Sequence, residues 1–428
     1  MEPRPLVPVY PFAEAENDIE LYRGPAKLCA EEITEVVLKL SMRRKVEIAW
    51  EVTVGDHNFS LEDGELEIDH PDYGPCVLPV RLHNGAGLGR VDPVELGNQC
   101  PMTRVTCHWA NLPQILPGQP LTKDGVGWWR GRWTATANNW RFTIDSRPDI
   151  SETLRARQRS GEDFVITHTG ELTTADGRSF APDEAADVLF AIQLALSFAL
   201  GRWVAPCCPV GFDERGERVF EQWAPWRCDP WRGNFHWWYE HRDEDLSEFV
   251  SRFVCAFLDE STRAATRHLA VHAISANHGT TTTEGRLMLA QAGLEYLAWI
   301  DLVATGRYTK QGFRELGAAG KLRLLLNGAS ITTTIPPELD ALQTLSATRS
   351  GGAWDGPTAL VWVRNRLVHP KSPAEPYEIE QLVWQSTQLQ LEYLELLLLH
   401  RLRYERSYLR RYPPGGWPTP IPVPWAAS

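Results

Sequence analysis

The chain is short of the residues that build metal, redox or dinucleotide chemistry. Its eight cysteines, at positions 29, 76, 100, 107, 207, 208, 228 and 255, include no C-x-x-C pair. Cys100, Cys107 and His108 come nearest to a zinc half-site, but no second half accompanies them. Cys207 and Cys208 are adjacent and do not readily bond to each other, so buried free thiols are expected. The glycine-rich segment NGAGLGR (84–90) departs from the dinucleotide fingerprint, and no P-loop lysine follows, so it reads as a loop. Neither metal nor cofactor is expected. The longest apolar runs, AIQLALSFAL (191–200) and LELLLLHRL (394–402), are too short to span a bilayer. The N-terminal MEPRPLVPVYPFAEAEND lacks both a basic n-region and a sustained apolar h-region. A cytoplasmic protein without membrane contact is therefore expected.

Positive charge is scarce as well. A net charge of −12 argues against a protein that coats nucleic acid nonspecifically. The deficit lies in front: residues 1–279 hold 28 Lys and Arg against 42 Asp and Glu, whereas residues 280–428 hold 15 against 13. That asymmetry leaves the rear half free to meet a polyanion at one local site.

What is present suggests an α+β multidomain chain, long enough for roughly two or three domains. Residues 1–165 read as a β-rich domain, with alternating segments at 46–54, 64–70 and 140–146 between Gly, Pro, Asn and Asp turns. Twelve of the 18 tryptophans precede residue 240, as core or as a stacking platform for glycans or bases. Residues 166–260 read as a mixed α/β region with an aromatic-rich junction at 225–241. It holds a hairpin around Ala175-Asp176-Gly177, a helix over 181–202 and a second hairpin over 210–223. From residue 246 the apolar spacing becomes helical, with helices over 246–258, 263–277 and 279–303, a shorter one over GKLRLLLNGA, and a terminal helix over 378–411 of about 50 Å. The helical domain spans 261–412, and the Pro-rich tail 413–428 reads as extended or disordered.

One stretch carries chemistry. VRNRLVHP (363–370) sets Arg364, Asn365 and His369 together with no nearby cysteine or carboxylate cluster. A guanidinium stabilises phosphate charge, an imidazole moves protons near neutral pH, and a carboxamide holds a group in place. The R-x-x-x-x-H spacing alone is expected by chance on the order of once. It recurs at Arg263/His268 and Arg267/His272. The third copy differs in its setting. Asp355 and Pro357 mark a helix start, Leu360, Val363 and Leu367 mark an apolar face, and Pro370 ends the helix near His369. Asn365 and His369 then share a face, while Arg364 lies about 140° from His369. The bland alternative is an arginine capping the helix end beside a solvated histidine.

The R-N-x-x-x-H motif entering a long terminal helix resembles the signature of the HEPN superfamily. GLEYLAW ahead of KLRLLLNGA resembles the version found in multidomain bacterial anti-phage and abortive-infection proteins. The resemblance covers about residues 262–412. It implies a helical bundle and metal-independent endoribonuclease activity, with a 2′-hydroxyl attacking phosphorus to leave a 2′,3′-cyclic phosphate and a 5′-hydroxyl. Arg364, Asn365 and His369 would be catalytic, RNA (tRNA among the candidates) the substrate, and a homodimer through the helical domain the working form. Glu295, inside GLEYLAW, is a candidate neighbour of the motif and otherwise a surface or salt-bridge residue. The leucines at 394 and 396–399 suggest more apolar surface than one packed face can bury, for which a second chain is the natural cover. Two rival readings belong to other classes. In one, an inactive HEPN-like module serves interaction or dimerisation. In the other, the Trp-rich front half is the working part, binding glycans or sensing a phage-derived protein.

Overall fold

Period-two alternation closes the start of the chain into a six-stranded barrel of β1 (Ile19–Leu28), β2 (Glu31–Ser41), β3 (Glu47–Val52), β4 (Asp63–His70), β5 (Gly74–Leu82) and β6 (Leu88–Val91), in the order β1-β2-β3-β6-β5-β4. In β4, Leu66, Ile68 and His70 are buried while Glu65, Glu67 and Asp69 are exposed, so each strand gives one face to the core. An antiparallel eight-stranded sheet follows. Its members are β7 (Val94–Gly97), β8 (Arg104–Ala110), β9 (Gln119–Lys123), β10 (Gly127–Ala137), β11 (Trp140–Ser146), β12 (Ile166–Thr174), β13 (Ala205–Phe212) and β14 (Arg218–Trp223), in the order β7-β14-β13-β8-β12-β11-β10-β9. Helices α1 (Ile150–Ser160) and α2 (Pro182–Ala199) interrupt it.

This computed structural model describes residues 3–12, 18–28, 31–42, 45–52, 63–82, 88–98, 100–123, 127–160, 164–231, 235–348, 353–372, 374–412 and 418–426. Cys29, the end of the strand expected over 46–54, residues 84–87 of the loop expected at 84–90 and residues 413–417 and 427–428 of the tail lie outside the described residues; the rest of that expected loop, residues 88–90, belongs to strand β6 instead. The chain divides into two compact units. One comprises Met1–Gln193, Trp203–Gly233 and Glu240–Asp243; the other comprises Leu194–Arg202, Asn234–Tyr239 and Glu244–Ser428.

The first unit is built on its tryptophans. Trp50, Trp109, Trp133, Trp140, Trp203 and Trp223 are buried, and Trp128 is the exposed exception at 68%. The acid Glu221 is wholly buried and accepts hydrogen bonds from Tyr10, Tyr73 and Trp223. Strands β12 to β14 complete the same sheet as β7 to β11, so the expected boundary at 165 falls inside one layer. The hairpin expected at Ala175-Asp176-Gly177 keeps its turn, with Gly177 at φ 75°, but the chain beyond does not return along β12. Phe180 bridges Met102 instead. The hairpin over 210–223 forms as expected between β13 and β14.

The second unit is helical: α3 (Asp243–Leu258), α4 (Glu260–Asn277), α5 (Thr283–Ala298) with a π-helical turn Trp299–Ala304, α6 (Lys310–Glu315), α7 (Gly317–Gly328), α8 (Asp340–Thr348), α9 (Gly356–Val368) and α10 (Leu382–Arg401). Thr282 caps α5, its hydroxyl accepting from Gly285 N–H. The stretch Thr283–Ala304 is long and apolar enough to cross a membrane. In this fold it packs against α4, α7, α9 and α10 as a core helix.

Three expectations about the end of the chain are corrected. The terminal helix stops at Arg401, since Arg403 adopts a left-handed φ of 55°. Its 20 residues span about 30 Å. Every residue from Gln385 to Leu399 is buried, including Leu394 and Leu396 to Leu399. These leucines are covered within one chain, because α10 is buried on all sides and packs against α4, α5, α7, α8 and α9. They offer no face to a second copy. The described part of the Pro-rich tail is ordered: Ile421–Pro422 pairs with Ser407–Tyr408, Val423 is buried, and the Trp425 indole donates to the Tyr404 carbonyl at 2.6 Å.

The central helix carries acids at its core. Burial pushes the Glu392 carboxyl up to about 7, although it accepts from Arg411 N–H at 2.9 Å and Tyr412 O–H at 2.8 Å. The folded state therefore holds a proton there that the unfolded chain releases above pH 4.5. The stabilising contribution is complete below that pH and is lost as pH rises towards 7. Relative to Glu392→Gln, the wild type is expected to lose on the order of 3 kcal/mol between pH 4.5 and 7.5. Urea unfolding of both proteins across that range measures the difference, and parallel pH profiles would contradict it.

Candidate functional site

The last turn of α9 positions the motif. Asp355 caps the helix, accepting from Thr358 N–H at 3.0 Å, and Arg323 of α7 grips it at 2.5 and 2.8 Å. Burial alone would raise the Asp355 carboxyl; Arg323 and Thr358 outweigh it and hold the acid ionised below its usual range. Pro357 occupies the first turn, and Leu360 and Val363 are fully buried. At the other end His369 is the C-cap, with φ −128° and ψ 69°, and its backbone N–H donates to the Asn365 carbonyl at 2.8 Å. Start and end of the helix match the sequence reading; of the expected face, Leu360 and Val363 are buried while Leu367 is only half-buried.

Two of the three polar side chains touch, and the third follows at the helix end. The Asn365 side-chain carbonyl accepts from Arg364 Nη1 at 2.9 Å, while its backbone holds the turn that presents His369. The His369 ring is exposed, and among the described residues it makes no hydrogen bond. Arg364 is half-buried. Its Nη2 lies 3.6 Å from Glu295 of α5, which also accepts from Gln291 at 2.9 Å. Gln291 in turn accepts from the buried Gln390 of α10 at 2.7 Å. Glu295 is thus both a neighbour of the motif and a salt-bridge residue. Its connection through Gln291 to Gln390 left no trace in the sequence, because the partners are 99 residues apart.

The neighbouring Arg366 is occupied elsewhere, 3.0 Å from Glu375 and over the Trp362 ring. Four residues beyond Glu295, at the start of the π-helical turn, Trp299 is 40% exposed, with Lys310 Nζ 6.0 Å from its ring centre. Val368, next to His369, is 45% exposed.

The repeated spacings do not reproduce this arrangement. Arg263 turns back along the chain, donating to the Phe257 carbonyl at 3.1 Å. His268 and His272 pair with each other on α4, against the side of α5 that carries Leu289 and Tyr296. Cys107, Cys207 and Cys208 are buried free thiols, and burial raises each well above the usual thiol range. His108 is fully buried, and burial lowers its imidazole to about 4.

Comparison with known proteins gives relatives for both units. Residues 97–234 match the YopA central domain family, and residues 259–418 match the YopA C-terminal domain family. The chain is 26% identical over 291 residues to the SPbeta prophage-derived uncharacterized protein YopA of Bacillus subtilis (strain 168). That match covers 66% of this chain and 63% of the relative, so it spans less than two thirds of the relative's length. No solved structure matches the chain.

Proposed function

We propose that the helical unit is a HEPN-type endoribonuclease that cuts RNA without a metal ion. The observation that carries this reading is the pairing of Arg364 with Asn365 beside an exposed His369 at the end of α9. A ribose 2′-hydroxyl attacks the adjacent phosphorus, and the bond to the 5′-oxygen breaks. His369 moves the proton at one of these oxygens, as base or as acid. Arg364 stabilises the charge that develops on the phosphorane, and Asn365 holds its guanidinium. A 2′-hydroxyl requirement excludes DNA. Trp299, four residues beyond Glu295, offers with Lys310 a stacking and charge surface for single-stranded RNA, tRNA loops included. Incubation of the protein with tRNA and total RNA in EDTA tests the reading through the ends produced.

The mechanism calls for two proton-transfer groups, and one chain supplies a single His369. A cytoplasmic homodimer facing two motifs together completes the set. The contact would lie near Val368, since the α10 leucines are covered within the chain. Sedimentation is expected to give twice the 48.4 kDa chain mass, and a monomer that cleaves RNA would remove the shared site. Exposed ion pairs contribute about 0–1 kcal/mol. Glu295→Gln is therefore expected to change the cleavage rate by less than about fivefold. A hundredfold loss would instead make Glu295 a catalytic acid or base.

The prophage origin of the relative supports a role in conflict between phage and host, with the tryptophan-rich unit sensing a phage-derived trigger. The competing reading is an inactive interaction module. Its signature is RNA left intact under every condition, with unchanged assembly.

A further inference from the structure

The histidines at 268 and 272 serve no part of the proposed cleavage, yet their spacing suits a chelate. They lie one helical turn apart on α4, their Nε2 atoms joined by a hydrogen bond at 3.0 Å that an ion bound to both would replace. His272 Nδ1 is 3.2 Å from the Leu289 carbonyl oxygen. A carbonyl only accepts, so Nδ1 carries the proton and Nε2 keeps its lone pair. His268 is exposed, and its ring packs on Tyr296 with centroids 4.1 Å apart. Residues of α5 thus fix both rings from behind, the arrangement by which outer partners orient metal-binding imidazoles.

We propose that His268 and His272 form a two-nitrogen site for a divalent transition-metal ion of the Ni2+ or Cu2+ type. Metal–nitrogen bonds are about 2.0–2.1 Å. Two nitrogens 3.0 Å apart then subtend roughly 94° at the ion. That is the cis angle of square-planar or octahedral geometry, the preference of Ni2+ and Cu2+. A tetrahedral Zn2+ site needs a separation of about 3.3 Å. Binding shifts the His268 proton from Nε2 to Nδ1 without changing its charge. Among the described residues no group of three or more His, Cys, Asp or Glu side chains comes together to hold an ion. Water therefore completes the coordination. The site does not depend on the ribonuclease reading.

Calorimetric titration of the full chain, free of any histidine tag, with NiCl2 and CuCl2 tests the site. One ion per chain is expected, with His268→Ala and His272→Ala each weakening affinity by at least about tenfold. On the unsubstituted protein, Cu2+ is expected to broaden the ring-proton signals of these two histidines before those of the other ten. That reading stands even if a variant folds poorly. No saturable binding, binding that survives either single substitution, or broadening that starts at other histidines would overturn the chelate.

Discussion

His369→Ala is expected to lower RNA cleavage by about 10²- to 10⁴-fold, the span typical of removing a positioned proton-transfer group. Arg364→Ala is expected to cost about 10²- to 10³-fold, as for one donor to a developing oxyanion. Neither change should move the melting temperature by more than about 2 °C, because neither side chain lies in the core. His369 is exposed at a helix end, and among the described residues Arg364 is held by Asn365 and a long contact to Glu295. His268→Ala and His272→Ala should retain cleavage, since their ring nitrogens face each other on α4. Rates measured on a defined oligoribonucleotide, with calorimetric melting alongside, separate catalysis from folding. Full activity in either motif variant would move the site elsewhere.

The largest stability effect is expected at Arg411. Its side chain is wholly buried, donating to both oxygens of Glu395, to Asn277 Oδ1 at 2.9 Å and to Gln388 Oε1 at 3.4 Å. Removing one partner of such a pair leaves an uncompensated buried charge and costs about 3–5 kcal/mol. Arg411→Ala and Glu395→Ala should each lower the melting transition by roughly 6–20 °C. The double change Arg411→Met with Glu395→Leu should be milder than either, because it removes both charges together. A single variant that melts within about 2 °C of the wild type would show that this network does not hold the tail to α10.

These two sites differ in how far the sequence reveals them. The motif helix is legible because its signals are local. Asp355 and Pro357 start it, Leu360 and Val363 set its face, and Pro370 stops it. The Arg411 network is not legible, since its members at 277, 388, 395 and 411 are brought together only by packing. The terminal helix reads too long for a related reason. Apolar spacing continues through Leu402 and Leu409 without Gly or Pro, while the break falls at Arg403, a residue with no turn preference. The leucines of α10 misdirect the dimer argument, because sequence does not distinguish a surface too apolar for one chain from a helix at the centre of a bundle. The tail misleads through composition: its prolines suggest disorder, while Val423 and Trp425 anchor it. The broad division, β-rich before about residue 225 and helical after, is legible because the two hydrophobic periods are distinct.

Analysis of RNA ends tests the central claim most directly. Purified protein is incubated with tRNA in excess EDTA, and the products are examined by mass spectrometry. Fragments ending in 2′,3′-cyclic phosphate, partnered by 5′-hydroxyl ends, are expected, and they should vanish with His369→Ala. Fragments with 5′-phosphate ends, cleavage that stops in EDTA, or cleavage that persists in the His369 variant would contradict that claim.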